Sequence, residues 1–123
     1  MANALKPVRW IASSKDDLSA MPEGVRGDVG QALYVAQRGD KHDDAKVMKG
    51  FAGAGVLEII SRDDGDTFRA VYTVRFAEAI YVLHAFQKKS KSGIATPKKD
   101  RELTLNRLKL ASADYAQWTS KGK

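Results

Sequence analysis

Apolar residues fall on alternate positions near the start of the chain, at Val8, Trp10 and Ala12 of "KPVRWIAS", and predict a short strand over residues 6–13. Behind it, "SSKDDLSAM" offers Ser13 or Ser14 as an N-cap and places Asp16 and Asp17 in the first turn, where the helix dipole favours acids. A short helix is expected there. The period then lengthens. After Pro22, residues Val25, Val29, Leu33 and Ala36, with Ala32 beside them, recur every three or four positions, which lines one face of a longer helix that Gly39 ends. Gly24, Gly27 and Gly30 weigh against that helix, each costing about 1 kcal/mol relative to alanine, unless they serve close packing.

From Gly39 to Gly55 the chain is polar and glycine-rich and reads as a connecting loop. Three strands follow. "VLEIIS" alternates, with Leu57 and Ile59 on one face and Glu58 on the other; Asp64-Gly65 is a hairpin signal; "TFRAVYTVRF" alternates again. On that strand Phe68, Ala70, Tyr72 and Val74 share one face, and Thr67, Arg69, Val71, Thr73 and Arg75 the other. After a turn at Ala77-Glu78, "AIYVLHAFQKK" is apolar on both faces, as a central strand is. Thr96-Pro97 then reads as a helix start, Thr96 as N-cap and Pro97 at the first helical position. The helix is expected to run to about Tyr115, with Leu103 and Leu110, and Leu105 and Leu108, as its apolar contacts, and residues 116–123 as a frayed tail. The order β-α-α-β-β-β-α predicts one α+β domain over residues 1–123: a small antiparallel β-sheet with two N-terminal helices and a C-terminal helix.

Composition narrows the chemistry. The 123 residues suffice for a core without metal or disulfide support. Cysteine is absent, which excludes disulfides, thiolate metal sites and cysteine nucleophiles. No apolar run resembles a signal peptide or reaches membrane-spanning length, so the expectation is a cytoplasmic protein with no membrane partner. The net charge of +6 is unevenly placed: residues 1–83 carry 11 Lys and Arg against 12 acids, and residues 84–123 carry 10 against 3. That asymmetry favours an anionic partner: a nucleic acid, an acidic protein or, less favoured, a membrane surface.

Several motifs drop out. The glycines of "GFAGAG" fit neither the dinucleotide fingerprint nor the phosphate-binding loop, and "RDDGD" lacks the spacing and closing glutamate of a calcium loop. His42 and His84 form no metal-ligand pattern; His42 reads as loop surface and His84 as a hydrogen-bonded structural residue, so no cofactor and no metal is expected. Tyr81 and Phe86 can stack bases but more often belong to a core. What remains is cationic. With one sheet face on the N-terminal helices, Arg69, Thr73 and Arg75 point to the other, which need not be buried. There Lys88 and Lys89 end the last strand, and Lys49 precedes the meander. Such groups can converge on a phosphodiester, arginine as a planar fork and lysine as a compact charge; otherwise they form an ordinary charged face.

The stretches "VMKGFAGAGVLEI", "GDTFRAVYTVRF" and "IYVLHAFQKKSKSGIATPKKD" resemble the RelE-like toxin superfamily, closely over residues 45–110, and within it the HigB-like, phage-derived host-killing branch of type II toxin–antitoxin systems. The resemblance implies a RelE-like fold and an endoribonuclease, an mRNA interferase that cleaves messenger RNA without a metal, often on the ribosome. A ribose 2′-hydroxyl attacks the adjacent phosphate, leaving a 2′,3′-cyclic phosphate and a 5′-hydroxyl. Arg69 matches the arginine of the family's aromatic-arginine-x-x-tyrosine strand, which implies transition-state stabilisation. Lys88 and Lys89 match the basic end of the last strand, implying an acid or charge-stabilising role, and Lys49 a basic position before the meander, implying a base. Arg75, Lys91, Lys98 and Lys99 are then RNA-binding candidates. The implied partners are messenger RNA, a cognate helix-turn-helix antitoxin and, through the antitoxin complex only, operator DNA. Where some members end soon after the last strand with a catalytic tyrosine or histidine, this chain continues through Gly93 into a helix, which leaves the general acid open. The alternative is a non-catalytic basic module that binds nucleic acid or protein in a phage or toxin–antitoxin complex.

Overall fold

The computed structural model describes residues 5–51, 53–88 and 96–121. The expected elements form as β1 (Val8–Trp10), α1 (Ser14–Ser19), α2 (Glu23–Gln37), β3 (Val56–Asp63), β4 (Asp66–Thr73), β5 (Ile80–Lys88) and α3 (Lys98–Lys121), joined by a two-residue strand β2 (Lys46–Val47) inside the segment expected to be loop. The α+β class and the RelE-like arrangement are as expected. In detail the sheet is mixed, with the order β1-β5-β4-β3-β2, because β1 pairs parallel with β5 through Val8 and Ile80 while the remaining pairs are antiparallel. A parallel pair needs a long crossover, and α1, α2 and the meander supply it. Among the described residues no helix is long and apolar enough to cross a membrane.

Both faces of the sheet are covered. On one, Val25, Val29 and Leu33 of α2 and Leu18 of α1 pack on Leu57, Ile59, Phe68, Ala70, Tyr72 and Val82. On the other, Leu108 and Ala111 of α3 join Met48, Phe51, Val56, Val71, Tyr81 and Leu83. The second face is therefore roofed by α3 where an open cationic face was allowed for. The helix binds through a stripe different from the expected leucine pairs. Thr104, Leu108 and Ala111 are buried and Tyr115 and Trp118 half-buried at alternating spacings of four and three, while Leu105 and Leu110 stay exposed. The same stripe explains why the helix runs on past Tyr115, where a frayed end was expected. Trp118 lies against Tyr115 and beneath the Arg9 guanidinium at 5.0 Å, so the last turns have something to bury against.

A polar row at seven-residue spacing ties α3 to the sheet. The Asp100 carboxylate meets His84 Nε2 at 2.8 Å, Arg107 Nη1 donates to the Leu83 carbonyl at 3.0 Å, and Asp114 accepts from Arg9 Nε at 2.8 Å and from the Tyr81 hydroxyl at 2.5 Å. Residues 100, 107 and 114 thus descend β5 as the helix ascends. Bonds from Arg9 and Tyr81 hold the Asp114 carboxyl below the usual carboxylate range.

Between β2 and β3 the backbone turns through three glycines at positive φ, of which Gly55 is the most constrained. At φ +68 its missing Cβ would lie 3.1 Å from the Arg75 nitrogen, and its carbonyl accepts from Val74 N at 2.9 Å and Thr73 Oγ1 at 2.9 Å. Gly55→Ala is expected to cost about 1–3 kcal/mol through a left-handed alanine and this contact, measured as a lower urea midpoint with an unchanged slope.

Candidate active site

One irregularity in β5 aims the chemistry. The pairing of β4 with β5 skips a residue between Val71–His84 and Tyr72–Val82, so Leu83 is an extra, bulged residue. In a regular strand Tyr81, Leu83, Ala85 and Gln87 would share a face. The bulge inverts that parity, and His84, Phe86 and Lys88 come to the side of the sheet that carries Tyr81, opposite Val71, Arg69 and Thr67. Arg69 is itself opposite Ile60 on β3, so Glu58 and Lys88 are its diagonal neighbours on the two flanking strands.

Against Thr96, just ahead of α3, these side chains form a buried ionic cluster. Arg69, 2% exposed, places Nη1 3.2 Å from Glu58 Oε2 and 3.3 Å from Oε1. The Thr96 hydroxyl lies between them, accepting from Arg69 Nη1 at 3.0 Å and donating to Glu58 Oε2 at 3.0 Å. Thr96 therefore does not cap α3 with its side chain, as its sequence position suggested; the Pro97 carbonyl accepts the first helical bonds, from Asp100 N and Arg101 N. Lys88 is buried beside the pair. Its ammonium pKa is lowered first by burial and then by the Arg69 charge, against the opposing pull of Glu58.

A second cluster adjoins the first along β5. His84 is buried, stacked on Phe86 with ring centroids 4.5 Å apart, and bound through Nε2 to Asp100, while Arg107 Nη1 approaches Nδ1 at 3.5 Å. That arrangement fits the neutral ring with its proton on Nε2, and its pKa is lowered, first by burial and with help from the Arg107 charge, against the opposing pull of Asp100. The hydrogen bonding expected of His84 is present.

The structure brings together only part of the predicted site. Arg69 and Lys88 meet, but Arg69 is buried and charge-paired where an accessible guanidinium was expected, because Thr96 lies against it and Glu58 is its diagonal neighbour. Arg75 is exposed beyond the end of β4, six residues from Arg69 or about 20 Å along an extended chain, with its guanidinium near the Phe76 ring. Lys49 is exposed and lines a different feature, a groove of about 460 Å³ between residues 49–51 and Ala54 on one side and the first part of α3 on the other, together with Lys98 and Arg101. Lys99 is exposed and does not line that groove. Lys89 and Lys91 lie outside the described residues. The sequence reading missed Glu58, Thr96 and Arg101. Only Glu58 left a signal, as an acid on a strand whose other near neighbours are apolar. Among the described residues no group of three or more acidic or histidine side chains is placed to hold a metal ion.

A family model described as phage-derived protein Gp49-like (DUF891) matches residues 16–109, most of the chain. The chain belongs to that family. The Gp49-like family is related to the RelE/HigB-like toxins of toxin–antitoxin systems, and membership implies an antitoxin partner. No curated protein gives a significant match. The Gp49-like span runs from α1 to Lys109 and so includes both buried clusters and the groove.

Proposed function

We propose that this Gp49-like chain is the toxin of a type II toxin–antitoxin pair and an endoribonuclease that cleaves messenger RNA by attack of a ribose 2′-hydroxyl on the adjacent phosphate. The reading rests above all on the Thr96 hydroxyl, which is lodged between a carboxylate that accepts its proton and a guanidinium that donates to its oxygen. A nucleophilic hydroxyl in that position has its base in hydrogen-bond reach and its developing charge beside a fixed cation. When a ribose 2′-hydroxyl displaces Thr96, Glu58 takes the proton, the oxygen bonds to phosphorus, and the bond from phosphorus to the 5′-oxygen breaks. Lys88 supplies the proton that the leaving oxygen needs, and its lowered pKa makes it a better donor than an ordinary lysine. Arg69 offsets the charge added to the phosphate in transit. The products are a 2′,3′-cyclic phosphate and a 5′-hydroxyl. Glu58 replaces Lys49 as the base in this scheme.

The burial of Arg69 favours one other reading, in which the Arg69–Glu58 pair is purely structural and the chain is a basic binding module. Induced expression followed by mapping of messenger RNA 5′ ends separates the two. The nuclease produces growth arrest, rescue by the helix-turn-helix antitoxin, and new ends bearing a 5′-hydroxyl; the module leaves RNA whole, and intact messages during arrest would end the proposal. Thr96→Val removes the internal hydroxyl that competes with substrate. A net hydrogen bond is worth about 1 kcal/mol, so KM for a short RNA is expected to fall about threefold to tenfold at similar kcat. A raised KM would mean that Thr96 helps substrate bind.

A further inference from the structure

We propose that the groove between residues 49–51 and Ala54 on one side and α3 on the other is a subsite for one unpaired nucleotide of RNA, its phosphate held by Lys49, Lys98 and Arg101 and its base laid on Phe51, Leu105 and Leu108. The inference rests on the nuclease reading for the class of ligand. It adds a second binding site beyond the reacting phosphate and assigns it to residues that the cleavage chemistry does not use.

Charge, shape and position agree. Three cations line the groove against one carboxylate, Glu102, and that acid already faces Lys98 at 3.6 Å across a pair that is 80% and 63% exposed. So exposed a pair is weak and easily exchanged for a phosphate. A volume of about 460 Å³ lies in the range of sites that take a single small ligand. The floor is carbon. Leu105 is 45% exposed on a helix whose other outward positions near it, Glu102, Asn106 and Lys109, are polar, and burial in the fold gives no reason for a leucine there. A cationic groove with apolar surface for a base is the general form of single-strand recognition. At the rim Gly50 has φ +89 and open space where a side chain would stand, so a ligand can approach the backbone.

The groove also adjoins the buried cluster. Lys98 is two residues after Thr96, at most about 7 Å of chain, and Thr96 touches both Glu58 and Arg69. A nucleotide in the groove is thus within reach of a neighbour whose 2′-hydroxyl enters the cluster. A helical peptide fits less well, because such a ligand uses apolar anchors spaced over several turns, and Leu110, the next large apolar residue on α3, does not line the groove.

The test uses a hexaribonucleotide with a 2′-O-methyl group at every position, which binds but cannot be cut, with affinity followed by fluorescence anisotropy from 50 to 300 mM salt. The Lys49→Ala/Arg101→Ala variant is expected to bind at least tenfold more weakly and to lower the slope of log K against log salt by about one to two. Leu105→Gln is expected to weaken binding about fivefold or more with the slope unchanged, because it removes stacking surface and no charge. If the double variant does not fold, Lys49→Ala alone, at an exposed turn, carries the same test with a slope change of about one. Unchanged affinity and slope in these variants would overturn the subsite. So would loss of antitoxin binding with RNA binding intact, which would make the groove a protein dock. Because the probe is uncleavable, a wild-type chain that binds it through the groove yet never cuts RNA would defeat the nuclease reading and leave this one standing.

Discussion

Glu58→Ala is expected to destabilise the fold by about 3–5 kcal/mol, the usual consequence of removing one partner from a buried ion pair. Arg69 is 2% exposed, and the Glu58 carboxylate 3.2 Å from its Nη1 offsets its charge. Desolvating a guanidinium opposite an alanine costs far more than the lost hydrogen bonds alone. The expected cost is a large share of the total stability of about 5–15 kcal/mol for a domain of ordinary size. Glu58→Leu combined with Arg69→Met removes both charges and is expected to recover most of the loss, because an apolar pair of similar volume is often as stable as the ions it replaces. Urea denaturation of the two variants measures both effects, and a cost below about 1 kcal/mol for Glu58→Ala would show that water reaches the pair freely. The same coupling confounds Arg69→Ala as a test of catalysis, since it strips the charge opposite Glu58 and loosens the site it is meant to probe.

Lys88→Met is the sharper test of the proposed chemistry. Proton transfer by a positioned side chain is typically worth about 10²–10⁴-fold in rate, and a loss of that size in RNA cleavage is expected with cooperative unfolding retained. Lys88→Arg distinguishes proton donation from simple charge. Arginine keeps the positive charge but does not release its proton near neutral pH, so activity should stay low if Lys88 is the acid. Cleavage within about threefold of wild type in Lys88→Met would remove Lys88 from the mechanism and return the general acid to other groups. The lowered pKa of Lys88 has a structural origin, because burial and the Arg69 charge both act against its ammonium form. Both conditions depend on the bulge at Leu83, which turns Lys88 to the face that carries Arg69.

Local periodicity was enough to read the meander. Leu57 and Ile59, and then Phe68, Ala70 and Tyr72, pack on α2 as their alternation predicts, and Asp64-Gly65 forms the hairpin turn between β3 and β4. The spacing of Val25, Val29, Leu33 and Ala36 likewise marked the buried face of α2. The last helix was read less well, because its buried stripe contains a threonine and an alanine while two of its leucines face outward. Thr96 was misassigned for a related reason: a threonine before a proline is a strong local capping signal, but its hydroxyl is claimed by groups 27 and 38 residues away.

By itself the sequence determined the helices, the three-stranded meander and the concentration of positive charge in the last third, since each follows from neighbouring residues along the chain. Only the tertiary structure decided which charges meet. Arg75 and Arg69 share a strand face in the sequence pattern, yet one is exposed beyond the end of β4 and the other is buried against Glu58. The register across β3, β4 and β5, the extra residue at Leu83 and the descent of α3 over one face set those positions. Each is a relation between distant segments, settled by packing and desolvation rather than by local preference, and no window of the chain contains it.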